Sequence, residues 1–194
     1  MKTRAGITTL AVGVGLFALA CEQAPTAAQS TTLDPPDFRA SQGHRPNVVV
    51  LLSGTDTGEF REVDGVQMDC FDVQLFDLST GKEIGEGTDC LDLGSIVGDP
   101  TVGGFAISNT TFFNLPGGSI KSRNRTTIQP VIEGSPGSTH TTGDLATANN
   151  ILAGTLRFRG IEGVSQLFGS VNMSQFFSAN VIKFNCVFVL DFDD

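Results

Sequence analysis

The chain has 194 residues, fifteen Phe and neither Trp nor Tyr, so no phenol can serve as acid or nucleophile and no indole can stack on a sugar or sit at a membrane interface. Hydrophobic residues are 40 % and charged residues 17 %, with 23 Gly and 8 Pro; this excludes compositional disorder and points to strands and turns in a single domain. A formal net charge of −9 leaves no electrostatic footprint for nucleic acid.

Residues 1–20 read as an export signal. Lys2 and Arg4 form a basic start, and Ile7 to Leu19 is apolar and uncharged but shorter than the ~20 residues a membrane span needs. Ala18-Leu19-Ala20 has the small-x-small form of a cleavage site. With Cys21 it resembles the bacterial lipobox, in which the cysteine is acylated and becomes the mature N-terminus; Ala18 stands where that pattern prefers Leu. We read Cys21 as the lipidation site and the membrane as a partner through that lipid; plain cleavage leaving a thiol is the alternative. Residues 21–46 carry Pro25, Pro35, Pro36 and Pro46 among Ala, Ser, Thr and Gln, and read as a flexible tether. The folded domain is placed at 47–194.

Asn47–Ser53 is a continuous apolar run suited to a buried strand. Residues 54–65 follow as a loop. From 54 to 99 twelve acids face two bases, Arg61 and Lys82, which reads as a solvated acidic surface; Asp56 to Asp64 lack the spacing of a calcium loop. Met68–Asp77 and Glu83–Leu93 flank a turn with Gly81 in its left-handed position. Setting Leu78 opposite Lys82 places Phe71, Val73 and Leu75 on the inner face, opposite Asp89, Gly87 and Gly85. The same register sets Cys70 against Cys90, close enough for a disulfide, and leaves Cys186 as a buried, inert thiol on a core stripe with Phe184, Phe188 and Leu190.

Gly104–Phe113 and Ser119–Thr127 are strands joined by Asn114-Leu115-Pro116-Gly117-Gly118. Lys121, Arg123 and Arg125 alternate along the second and share its outer face. Glu133–Gly143 is rich in Gly, Ser, Pro and Thr and reads as a loop. Asn149–Thr155, Gly163–Ser174 and Val181–Phe192 complete the strands, with a helical turn at Arg157–Gly160. The fold expected is all-β, a barrel or sandwich.

Three stretches then resemble one family, the bacterial proteins with an allene oxide cyclase barrel-like fold, akin to plant dirigent proteins. The first runs from Leu75 through Cys90 and is similar to the family's Gly- and Cys-bearing hairpin. The second, Leu115-Pro116-Gly117-Gly118-Ser119-Ile120, is similar to its Leu-Pro-Gly-Gly-x-Ile turn. The third is Ala153 to Gly163, where Gly154, Thr155, Phe158, Gly160 and Gly163 match a late-strand signature and Leu156 replaces a glycine. The resemblance implies a closed antiparallel barrel of about eight strands. It does not carry over the plant cyclase's first-strand glutamate, since Asn47–Ser53 has no acid. It offers Cys90 as a counterpart of that enzyme's cysteine, against the disulfide.

Three functions follow. The barrel could bind a small apolar ligand, with Phe71, Val73, Leu75, Phe184 and Phe188 as wall or packed core. It could be an isomerase or cyclase, for which Asp77, Glu83 and Asp89 are the candidate acids; their plainer reading is solvated positions at a hairpin mouth and a strand end. It could act through its surface, at loops 54–65 and 133–143. No motif indicates a nucleotide, a cofactor, a hydrolase triad or a metal.

Overall fold

The structure is a computed structural model that describes residues 48–99, 103–132, 139–144 and 149–193. The signal, Cys21, the tether and positions 133–138 lie outside the described residues. The strands are β1 (Val48–Thr57), β2 (Glu59–Val63), β3 (Val66–Asp77), β4 (Glu83–Gly98), β5 (Phe105–Leu115), β6 (Gly118–Pro130), β7 (Thr139–Asp144), β8 (Ile151–Gly154), β9 (Gly163–Gln175) and β10 (Val181–Phe192). A 3-10 turn at Leu156–Phe158 and a one-turn helix α1 (Phe176–Ala179) are the other elements. The ring runs β1-β10-β9-β7-β6-β5-β4-β3, and pairing of β3 with β1 closes it into an eight-stranded antiparallel barrel. β2 extends β3 outside that ring, and β8 pairs with β6 beyond the stretch that β7 occupies.

The register expected for the β3–β4 hairpin holds from Asp69↔Leu91 to Leu75↔Gly85, including Cys70↔Cys90. It fails at the turn. Phe76 pairs with Glu83, so Ile84 is an unpaired bulge, and the Asp77 carboxylate accepts from Ser79 Oγ, Thr80 N and Thr80 Oγ1. Gly81 has φ +67°, the left-handed conformation anticipated for it. A type of turn closed by an Asp side chain competes with the simpler three-residue loop, and the bulge absorbs the difference.

Two segments expected as loops are strands. Residues 54–65 form the end of β1 and all of β2, and β2 turns into β3 through Asp64 and Gly65 at φ +53° and +80°. Two consecutive left-handed residues make the hairpin turn whose twist matches the strands on either side. The described part of 133–143 belongs to β7, which bridges β6 and β9.

The β2–β3 hairpin folds over the outer barrel wall. Lys121 and Arg123, on the outer face of β6, both hold the Asp64 carboxylate, with N–O distances of 2.6 Å. Beneath, Val63 and Met68 pack with Phe112 over the disulfide Cys70–Cys90, whose Cα atoms are 3.9 Å apart. Both cysteines are buried although they point away from the barrel axis.

The stretches that carry the family resemblance meet at one barrel end. Thr155 N donates to Ser119 O and Ser119 N to Thr155 Oγ1, both at 2.9 Å, while Arg157 N donates to Gly117 O. Phe158 enters the core and meets Phe192 edge-on, 6.0 Å between centroids. A Cβ on Gly154 would overlap the Phe158 carbonyl oxygen, so that position admits only glycine. Leu156 has φ +50° and its side chain is exposed. It thus holds a left-handed conformation that a glycine would take at no steric cost. Leu156→Gly is expected to stabilise the fold by about 0.5–1 kcal/mol in urea unfolding, the relieved strain exceeding the entropy a glycine adds to the unfolded chain; a destabilised variant would contradict it.

Candidate functional site

Alternation along each strand sends one residue set inward. Near the plugged end that set is apolar and dense: Val50, Leu52, Leu75, Phe113, Ile120, Phe188 and Leu190 are all buried. Phe113 and Phe188 meet edge-to-face at 4.8 Å. Phe71, Val73 and Phe184 are also buried in the same core, with Phe71 and Phe184 5.8 Å apart. The candidate wall residues therefore mostly fill the barrel.

The opposite end differs. The last inward residues of β4 and β9 and the first of β5 and β10 surround a cavity of about 30 Å³. Leu91, Ile107, Leu167, Met173, Ile182 and Phe184 line its depth, and the half-buried Leu93, Ile96 and Phe176 stand at its mouth. That void holds roughly two waters at the ~10–15 Å³ each requires. Cys186 also lines it; its Sγ donates to Ser170 O at 3.5 Å, and burial pushes the thiol up to about 12, so it is inert rather than nucleophilic.

The acidic group on that wall is Asp89, beside the hydroxyls of Thr126 and Thr142. Of the three acids considered from sequence, Asp77 is bound up in its turn and Glu83 is exposed on the outside of the hairpin end. Asp89 is not solvated, as its plainer reading held; only 5 % of it is exposed. Position on the inner face explains this, because β4 continues well past Asp89 to Gly98 and the residue is not at a strand end.

Asp89 belongs to a polar belt across the β4–β5–β6–β7–β9 wall. Asn109 Nδ2 and Thr111 Oγ1 donate to its Oδ1, at 3.0 and 2.8 Å. Thr126 Oγ1 lies 2.9 Å from Asn109 Oδ1 and 2.5 Å from Asp144 Oδ1. Asp144 Oδ2 accepts from Leu167 N at 2.7 Å and from Asn124 Nδ2 at 2.5 Å. Asn124 Oδ1 in turn accepts from Asn150 Nδ2, and Asn150 Oδ1 takes Ser165 N at 2.6 Å.

Counting hydrogens assigns a proton. Thr126 has one hydroxyl hydrogen and faces two oxygens, and Asn109 Oδ1 is an acceptor because its amide nitrogen is committed to Asp89. Every contact is satisfied when Asp144 is neutral, its Oδ1–H directed at Thr126 and the Thr126 hydroxyl at Asn109. The electrostatics agree. Desolvation, foremost, and repulsion from Asp89 whenever that carboxyl ionises raise the Asp144 carboxyl from 3.8 to about 7 despite its hydrogen bonds. Asp89 is likewise raised, by burial, against the opposing hydrogen bonds of Asn109 and Thr111. No Lys or Arg is buried among the described residues to hold either as an anion.

Chemically, the arrangement is a pair of carboxylic acids linked through an amide and a hydroxyl, of which Asp89 lines the apolar cavity and Asp144 lies behind its wall. Asn109, Thr111, Asn124, Thr126, Asp144 and Asn150 were not singled out from the sequence. The signal available was the alternation of Lys121, Arg123 and Arg125 outward, which sends Ser122, Asn124 and Thr126 inward.

No protein-family model matches the chain, and no curated protein matches it in sequence.

Proposed function

We propose that this protein is an exported, lipid-anchored binding protein of the bacterial cell envelope, whose barrel takes a small apolar ligand at its open end. The observation that carries the binding reading is the apolar cavity beneath Leu93, Ile96 and Phe176, closed at the floor by Asp89. Eight-stranded barrels either fill with side chains or hold one small ligand. This one is filled at the end that Phe158 closes and keeps a void of about 30 Å³ at the other, where the half-buried mouth residues are the ones a ligand displaces. Export is supported by the leader and by the Cys70–Cys90 disulfide, a bond suited to an oxidising compartment. Anchoring rests on Cys21 in its lipobox-like setting.

Membership of the allene oxide cyclase barrel-like group is part of the proposal. The closed antiparallel barrel supports it, as do the docking of the Gly154–Phe158 stretch on the Gly117-Gly118 turn and the left-handed Leu156. Cyclase activity is not favoured. The inner residues of β1 are Val50 and Leu52, and Cys90 is committed to the disulfide on the outer wall.

Protein purified without detergent extraction of its interior, then denatured in organic solvent, is expected to release a small apolar molecule detectable by mass spectrometry. Its loss on Ile107→Trp, which fills the void, would assign the site. Preparations that release nothing and bind no apolar probe would overturn the reading. The mature N-terminal peptide should carry a diacylglyceryl mass on Cys21; a bare thiol there would remove the anchor.

A further inference from the structure

Resting on that reading of the cavity, we infer that Asp89 is the recognition group of the site and that the ligand is an apolar molecule with one uncharged hydrogen-bond acceptor, such as a carbonyl or ether oxygen, at its leading end. Asp89 lines the cavity and is 5 % exposed. Its Oδ1 takes both donors, Asn109 Nδ2 and Thr111 Oγ1, and Oδ2 meets no donor among the described residues. The buried acid therefore carries its proton on Oδ2, the oxygen left for the cavity. An O–H in an apolar wall with no partner leaves a desolvation cost that an acceptor on the ligand removes.

The chemistry of the wall separates this ligand class from two others. A carboxylate would have to be buried beside two carboxyls that burial already keeps from ionising, with no buried Lys or Arg among the described residues to meet its charge. An ammonium carries three donors, whereas the wall offers Asp89 Oδ2 and the Thr142 hydroxyl beside the already committed Thr126 and the thiol of Cys186. A carbonyl or ether oxygen matches the Asp89 O–H, and the Thr142 hydroxyl, which both donates and accepts, brings no charge that would favour an ion. The size of the void sets the pose: about 30 Å³ accepts the leading group, and the apolar remainder lies along Leu93, Ile96 and Phe176 at the mouth. The titratable groups that feel Asp89 are Asp144 on β7 and Cys186 on β10, both poorer anions for being buried.

The test titrates the full chain, with methyl-labelled Ile, Leu and Met, against hexane, 2-hexanone and hexylamine. Shifts of the Ile107, Leu167 and Met173 methyls report occupancy. The ketone is expected to bind at least tenfold more tightly than hexane, with hexylamine weakest. The ketone's advantage should vanish as rising pH ionises Asp89. Asp89→Leu should abolish it at every pH. Asp89→Asn, whose amide can keep its oxygen on Asn109 and Thr111 and turn an N–H to the cavity, should retain it and lose the pH dependence. Equal binding of hexane and ketone by the wild type, or tightest binding of hexylamine, would overturn the acceptor-headed class while leaving the apolar site standing. If none of the three moves these methyls, the binding function itself fails. The wild-type ratio and the Asn variant decide the matter even if Asp89→Leu does not fold.

Discussion

Asp144→Asn is expected to stabilise the protein by about 2 kcal/mol at pH 8 and to change it little near pH 4. Asp144 is neutral in the folded protein up to about pH 7, chiefly because of its burial. In the unfolded chain the same carboxyl ionises near ~3.9. Its raised folded value makes its contribution fully present below the unfolded value. That contribution is lost progressively as pH rises to about 7, and the loss is complete above it. The whole interval corresponds to about 4 kcal/mol, and the half-buried position of Asp144 reduces the expectation to about 2. The amide reproduces the neutral acid: its nitrogen can donate to Thr126 Oγ1 while its oxygen accepts from Asn124 Nδ2 and Leu167 N. Urea unfolding followed by circular dichroism at pH 4, 6 and 8 reads the effect. Parallel curves for the two proteins, or a variant weaker at pH 8, would show that Asp144 folds as an anion. Asp89 shifts in the same direction and is common to both proteins. Asp64 and Asp72 shift the other way, held low first by Lys121 and by Arg61, so their small surface contributions fade only towards acid.

The sequence made the β3–β4 hairpin legible because its information is local. Gly81 needed a left-handed position, the apolar residues alternated, and two cysteines fell opposite one another once the turn was set. The bulge at Ile84 was not legible, since it depends on how the Asp77 side chain closes the turn. β2 was hidden by its charge: Glu59, Arg61 and Glu62 look like loop residues, yet they sit on a strand outside the ring that buries only Val63 at its end. The Asp64-Gly65 pair between Val63 and Val66 was the available sign of that hairpin. β7 is short and polar, and its partners on β6 and β9 are distant in sequence.

The polar belt was illegible for a related reason. Ser108 to Thr111 are polar on both faces of β5, so alternation cannot say which side is core. Extending the β5–β6 hairpin register would have set Asn109 opposite Asn124, two inward amides on neighbouring strands. Asp144 offers no local cue at all; only closure of the barrel brings it to Thr126 and Leu167. Asp89 had the right parity from the start, but its burial required knowing that β4 runs on to Gly98.

Loss of the Cys70–Cys90 bridge is expected to cost about 3 kcal/mol. The two cysteines are 20 residues apart, and closing a loop of that length in the unfolded chain removes entropy of about that worth. Cys70→Ala with Cys90→Ala should lower the urea midpoint without altering the barrel's circular dichroism. The bridge should also resist dithiothreitol while the protein is folded, because Cys70 and Cys90 lie under Val63, Met68 and Phe112. Reduction then needs the β2–β3 hairpin to lift. Asp64 pins its tip to Lys121 and Arg123, so Asp64→Asn, which keeps a residue that tolerates the left-handed φ of +53° and removes the charge, should speed native-state reduction several-fold while changing overall stability little, as expected of exposed ion pairs. Wild-type protein reduced as fast as an unfolded chain would show that the hairpin does not cover the bond. Equal rates in the wild type and the Asp64 variant would show that opening occurs elsewhere, at the β1–β3 seam, where only Val50 to Ser53 pair with β3.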